Sequence, residues 1–396
     1  MGAASLIRSI QSSIPYAAYH LWAPDIFQFK GGIQVYSAFL LHALQAIAPE
    51  QQYDVFLKHD RQVANHRSFA QQTRFHCSGR WSLRMRTAIF ASQLIGYGLW
   101  QRPDLVIATH INFAPAAAWL KRLTNAPYWV VAHGIEAWHI QRPALRNALC
   151  RADKILAVSH YTRQRLLREQ ALEPSNVVVL PNTFDSERFH ITDKPDYLLK
   201  RYQLRADQPV ILTVARLSRK ERSKGYDQVL EALPKIRVNL PAIHYVIVGK
   251  GDDRLRIEQK ISDLGLQDCV SLAGFVPDEE LCHYYNLCDL LAMPSTGEGF
   301  GIVYLEAMAC GKPTLAGNQD GAVDALCGGE LGALVDPENI EEIAQTIVQL
   351  LQGTYPNALI YQPELLRQAV LATFGFERFT ATLAGHLTEM AEVSFP

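Results

Sequence analysis

Residues 298–311, EGFGIVYLEAMACG, set two carboxylates, Glu298 and Glu306, either side of seven residues that begin Gly299, Phe300, Gly301. Glycines leave backbone N–H groups uncovered, and uncovered amides at a helix start attract phosphate. Carboxylates on both sides can accept hydrogen bonds from sugar hydroxyls. A ligand with a central phosphate and a polyol at each end is a nucleotide sugar. A second cluster, TVARLSRKERSKGYDQVLEAL (213–233), supplies cations. Arg216 suits bidentate phosphate contact, and Lys224, just before Gly225, a point charge. Fixed cations aimed at a departing diphosphate lower the barrier to its release. Lys220 competes with Lys224 for this place.

Strand ends and helix starts must hold these groups. DLLAMPS (289–295) has the apolar run of a buried strand, and the segment after Gly301 reads as a helix that stops at Gly311, Lys312 and Pro313. Glu298 and the glycines then occupy a strand-to-helix turn, with Glu306 about two turns into the helix. Short apolar runs alternate with helical patterns throughout, which predicts an α/β fold with parallel sheets. Strands are expected at 16–22, 53–58, 104–110, 128–133, 154–159 and 177–181, then at 209–217, 244–251, 269–275, 289–295 and 313–317. Helices are expected at 32–48, 83–100, 143–151, 160–170 and 376–393. A chain of 396 residues exceeds one ordinary core. The polar, turn-rich stretch 181–196 reads as a linker between two halves. Open sheets of this kind bind ligands beyond the C-terminal ends of their strands.

The Glu298-to-Glu306 pattern resembles the E-x7-E signature of retaining glycosyltransferases of the GT-B fold, glycosyltransferase family 4 in particular. The resemblance spans roughly residues 16–385. It implies two Rossmann-like, doubly wound domains facing across a cleft, an acceptor-side domain at 1–190 and a donor-binding domain at 191–375. A C-terminal helix at 376–396 would cross back onto the first. By the same resemblance Glu298 orients the donor sugar, Phe300, Gly301 and Ile302 line the diphosphate, and Glu306 holds the ribose. Arg216 and Lys224 resemble the family's R-L…K-G cations. Gly31 and Gly32 match its glycine loop over the diphosphate, and His133 in AHGIEAW (132–138) its histidine near the anomeric carbon. Gly249 belongs to a G-x-G turn near the nucleotide, and Phe275 and Val276 to the loop against the base. Ser159 sits in a V-S-x-x-T/S turn. Taken singly, each residue reads as a solvated charge, a simple turn or a structural histidine. Their order along the chain argues otherwise.

The implied reaction moves a hexose, with retention, from a GDP-mannose or UDP-glucose type donor to a hydroxyl acceptor. A nucleotide-sugar epimerase or a non-catalytic nucleotide-sugar binding module would use the same donor residues. No D-x-D pattern points to a metal, so neither a metal nor a resident cofactor is expected. Asp252 and Asp253 read as a helix start.

Composition is that of a globular protein, 48% apolar and 19% charged. Seven scattered cysteines, without a C-x-x-C pair, suggest reduced thiols in a cytoplasm, and the first residues lack the apolar core of a secretory signal. Residues 1–190 carry 20 Lys and Arg against 11 Asp and Glu, whereas the remainder carries 18 against 28. Seven arginines (61, 67, 74, 80, 84, 86, 102) occur between Asp60 and Asp104 with no acid among them. Phe75, Trp81, Phe90 and Trp100 are interleaved. That segment fits an anionic membrane surface, a lipid-diphosphate acceptor or a solvated basic face. No nucleic-acid-binding motif accompanies it. A lipid-linked or polysaccharide glycan is the expected acceptor, with peripheral contact at the inner face of the cell membrane through residues 61–102.

Overall fold

The computed structural model describes residues 18–28, 31–64 and 68–394. The N-terminal reading, the first residues of the first expected strand and Arg67 lie outside them. The chain divides into two compact units, one of residues 1–183 with 376–396 and the other of 184–375.

The first unit is built on a parallel sheet of seven strands: β1 (Ala18–Ala23), β2 (Gln52–Leu57), β3 (Thr73–Cys77), β4 (Leu105–Ala108), β5 (Tyr128–Ala132), β6 (Lys154–Ala157) and β7 (Val177–Val179). Their order is β3-β2-β1-β4-β5-β6-β7. Its principal helices are α1 (Gly32–Ile47), α2 (Leu83–Gln101), α3 (Ala114–Thr124) and α4 (His160–Glu169). The central strands are buried from end to end, as the continuous apolar runs of LVIA and YWVVA require. Strand β3 was not foreseen. Its sequence, TRFHC, is half exposed at the sheet edge and carries too little apolar patterning to announce itself.

The second unit holds a parallel sheet of six strands: β8 (Val210–Val214), β9 (His244–Val248), β10 (Val270–Gly274), β11 (Leu290–Met293), β12 (Thr314–Gly317) and β13 (Ala333–Val335). The order is β10-β9-β8-β11-β12-β13. Helices α5 (Tyr226–Asn239), α6 (Arg254–Asp263), α7 (Asp278–Leu287), α8 (Ile302–Ala309), α9 (Ile340–Gln352) and α10 (Pro363–Phe374) cover it. Strand β13, three residues long, was also unforeseen. The stretch expected as a linker holds the boundary between the two units, at 183/184, and is itself packed. Phe184 and Phe189 are buried, Phe189 packs edge-on to Tyr285, and Arg367 donates to the carbonyls of Phe189 and Ser186.

The last helix, α11 (Phe376–Ser394), belongs to the first unit and packs along α1. Phe379 meets Tyr36 edge-on, and Lys154 donates to Glu389 at 2.8 Å and to the His386 carbonyl. In each parallel sheet the order of successive strands reverses at one place, between β1 and β4 and between β8 and β11. There the loops leaving adjacent strands diverge to opposite faces and open a crevice.

Candidate active site

In the second unit the crevice lies between the loop after β8 and the loop after β11. A short turn, Arg222–Lys224, ends at Gly225, which starts α5 with φ of 86°. A Cβ at Gly225 would sit 2.6 Å from the backbone nitrogen of Pro294, so no other residue fits without moving one loop. Thr296 N–H donates to the Ser223 carbonyl at 2.9 Å and fastens the two loops. The result is direct contact between Lys224 Nζ and Glu298 Oε1 at 2.5 Å, with both side chains largely buried. Lys220 is exposed and has no such partner among the described residues. Of the two lysines, the one drawn to Glu298 is Lys224.

Asp320, which no sequence pattern singled out, braces the same loop. Its carboxylate accepts from Ser295 Oγ (2.7 Å), from the Glu298 amide (2.7 Å) and from the Ala322 amide (2.9 Å). The Gly321 amide returns a bond to the Glu298 carbonyl at 2.9 Å. Burial, with the Glu298 charge nearby, raises the Asp320 carboxyl to about 6.

After this loop, Gly301 (φ 90°) leads into α8. Phe300 faces inward, 2% exposed and edge-on to Phe374, so what it offers a ligand is its amide. Most of α8 is apolar and buried, and Glu306 is buried with it. Tyr285 donates to Glu306 Oε2 at 2.6 Å, with the Arg188 charge nearby. Burial dominates both and pushes the Glu306 carboxyl up to about 7. Glu298 and Glu306 thus share one loop and helix but differ in kind: the first is paired with a cation, the second desolvated.

The remaining candidates of this unit are more dispersed. Arg216 is 63% exposed and pairs with Glu221 at 2.7 Å rather than joining Lys224. Its loop is pressed against the G-x-G turn, where a Cβ on Gly249 would lie 1.8 Å from the Ala215 carbonyl oxygen. Phe275 is exposed, with the Lys250 ammonium 4.4 Å above its ring, and Val276 beside it is buried. Asp253 does not cap α6 with its side chain. It takes Arg222 and Arg256 instead, while Asp252 accepts from the Arg219 amide. Arginine binding replaces the expected cap.

In the first unit, Gly31 precedes α1 and Gly32 opens it; a Cβ on Gly32 would meet nothing within 4 Å. His133 follows β5. Its ring Nε2 lies 2.8 Å from the Thr109 carbonyl, its amide donates to Glu136 Oε1 at 2.6 Å, and Tyr36 stands edge-on to its ring. Burial lowers the imidazole to about 4, so it is neutral at pH 7. A carbonyl requires the proton on Nε2, which leaves Nδ1 as an acceptor. Glu136, a second residue the sequence did not mark, has its carboxyl raised by burial, opposed by the amides of His133, Gly134 and Glu136 itself. Ser159 accepts from the Thr162 amide and caps α4. Among the described residues, no group of three His, Cys, Asp or Glu side chains is arranged to hold a metal ion.

Comparison with known proteins gives this arrangement its context. Residues 30–188 match the family described as Glycosyltransferase Family 4, and residues 198–362 match Glycosyl transferases group 1. A GDP-mannose-dependent alpha-(1-6)-phosphatidylinositol monomannoside mannosyltransferase of Mycolicibacterium smegmatis is 36% identical over 234 residues, 55% of this chain. The matched stretch spans 59% of that relative's length. Mannosylfructose-phosphate synthase of Agrobacterium fabrum is 25% identical, over 50% of this chain and 44% of its own. Among solved structures, Anabaena Alr3699/HepE in complex with UDP and glucose superposes with a TM-score of 0.76 at 21% identity, covering 94% of this chain and all of that one. Sucrose-phosphate synthase from Thermosynechococcus elongatus gives 0.75 at 22% identity, covering 95% and 99%. Two sheets reversed at matching switch points, a lysine locked to the first glutamate of E-x7-E, and family matches over both halves agree: the chain belongs to glycosyltransferase family 4 and has the GT-B fold.

Proposed function

We propose that the protein transfers a hexose, with retention of anomeric configuration, from a nucleotide diphospho-sugar to a hydroxyl of a lipid-linked or polysaccharide glycan. The observation that carries this reading is the 2.5 Å contact between Lys224 and Glu298 at the β8/β11 switch point. A cation and a carboxylate held together there offer a diphosphate its counter-charge and a sugar hydroxyl its acceptor in one place.

In the proposed reaction the bond from the anomeric carbon to the diphosphate oxygen breaks as the acceptor oxygen bonds to the same face of that carbon. The acceptor proton passes to the leaving phosphate. Lys224 meets the charge that develops on the diphosphate, and so needs no rearrangement at the moment of transfer. Arg216 joins it once released from Glu221. Amides of residues 300–302 contact the diphosphate, Glu298 orients the sugar and Glu306 takes the ribose. His133 accepts a hydrogen bond from a sugar hydroxyl through Nδ1. The lysine and arginine supply the positive charge, so the reading calls for no resident metal. GDP-mannose is the favoured donor, supported by the name of the mycobacterial relative. The proposed setting is the cytoplasmic side of a membrane.

The test is a thermal-shift panel of GDP-mannose, UDP-glucose and their free nucleotides, followed by transfer to lipid-linked acceptors with the product anomer read by NMR. Stabilisation by one donor and an α-linked product are expected. Epimerised donor without acceptor, or an inverted product, would overturn the reading.

A further inference from the structure

Helix α2 is nineteen residues long, yet its buried residues are Phe90, Leu94 and Gly98, a stripe one residue wide. Gly98 lets α3 approach, since a Cβ there would touch the Leu120 side chain at 2.5 Å. Away from that stripe the helix and the residues leading into it expose Trp81, Leu83, Met85, Leu99 and Trp100, the last at 76%. Neighbouring α3 adds exposed Trp119 and Leu123. Large apolar side chains in such number mark a surface that meets something. Along the outer side of α2 runs an open groove of about 490 Å³, lined by Ile89, Ser92, Gln93, Gly96, Tyr97 and Trp100.

Arginines crowd the segment around this face. Arg61, Arg74, Arg80, Arg84, Arg102 and Arg122 are exposed. Arg86 is occupied, donating to the carbonyls of Gly79 and Trp81. Of the two acids that bound the segment, Asp60 is buried and Asp104 is half-buried. Asp60 accepts from the amides of Ile26 and Gln28 at 2.7 and 2.8 Å, and Asp104 accepts from the Ala18 amide at 2.9 Å. Arginines in this number, set among tryptophans, complement an anionic, amphipathic surface.

We propose that the outer face of α2 is where the protein docks on an anionic phospholipid membrane, with the groove over Ser92 and Gly96 receiving an acyl chain. This deepens the lipid-linked acceptor reading and rests on it. The docked face then brings lipid-borne acceptor to the enzyme by lateral diffusion instead of by release into water.

The test is co-sedimentation of the full chain with vesicles of phosphatidylcholine and phosphatidylglycerol, against pure phosphatidylcholine, at low and high salt. Binding is expected on anionic vesicles, weakened by salt. Each of Arg80→Ala and Arg84→Ala should reduce it about fivefold. Trp81→Ser with Trp100→Ser should reduce it about tenfold. In vesicles with brominated acyl chains, tryptophan fluorescence should be quenched, and less so in Trp100→Ser. Gly96→Leu, at a position where a Cβ would meet nothing within 4 Å, should obstruct the groove and relieve that quenching. Equal binding to neutral vesicles, or unchanged binding in the tryptophan pair, would overturn the proposal. So would a concentration-dependent dimer dissolved by the tryptophan substitutions, which would make a second copy the occupant. Transfer to a water-soluble acceptor should persist in all these variants. Its loss in wild type would instead defeat the functional reading while leaving the membrane result standing.

Discussion

At the end of β11 the carboxylate of Glu298 meets a lysine, whereas at the end of β5 the carboxylate of Glu136 meets backbone amides. The two turns occupy comparable positions, each following a parallel strand near its sheet's switch point. The first sets a lysine against a carboxylate and fixes both in place. The second desolvates its titratable groups, lowering His133 to about 4 and raising Glu136. A loop that holds paired charges is suited to an ionic ligand portion, such as a diphosphate. A turn made of neutral imidazole and amides is suited to hydroxyls. The glycines follow the same division. Gly225 and Gly249 are required by backbone closing on backbone, whereas the space beside Gly32 is open.

The most severe way to break this comparison is to remove the lysine. Lys224→Ala should lower kcat by about 10²–10³-fold, the range for losing one positioned group at a developing charge. Lys220→Ala should stay within about twofold, because its side chain is solvated. Initial rates at saturating donor decide between them. Loss confined to Lys220→Ala would transfer the role and dissolve the contrast.

A second test acts on protonation. Glu306 sits near 7 when folded, above the ordinary carboxyl value of 4.5, because burial disfavours its anion. The native state therefore holds this proton more tightly than the unfolded chain does. Its contribution favours folding at low pH and is lost as pH rises from about 4.5 to about 7. Glu306→Gln should gain stability relative to wild type across that interval. A ribose hydroxyl donates best to the anion, so donor affinity should rise about tenfold from pH 6 to pH 8 in wild type and stay flat in Glu306→Gln. Calorimetric titration with intact nucleotide sugar checks this. Equal pH profiles would remove Glu306 from the ribose.

Much of this was readable beforehand, and what escaped has physical causes. The buried strands are continuous β-branched and apolar runs, so their places followed from composition. Glu298, Glu306 and Lys224 were flagged by spacing to glycines that the turns require. Asp320 was not, because its importance lies in what reaches it: three donors from residues 295, 298 and 322 converge only after β12 lies beside β11. The Arg216 pairing with Glu221 depends on the course of a loop and left no periodic trace. Strand β3 was hidden within an arginine-rich segment because edge strands tolerate polar residues on both faces. Phe189 looked like part of a linker since its neighbours are polar, yet it packs on Tyr285, nearly a hundred positions away in sequence.

The gentlest test concerns the turn at His133. Glu136 gathers the amides of its own turn and so holds the backbone from which the His133 ring reaches Thr109. On the proposed reading it is a positioning residue, acting on sugar contact through His133. Glu136→Gln keeps one oxygen for the amides and should lower kcat about threefold with donor KM unchanged. Glu136→Ala leaves the amides without that partner and should cost about 1–3 kcal/mol of stability. A role limited to stability would appear as less folded protein with normal kcat per folded molecule. A fall in kcat at constant donor KM, with the glutamine variant intermediate, separates the two. If both variants instead weakened the donor as strongly as Lys224→Ala, the turn would be handling charge after all, and the division between the two loops would fail.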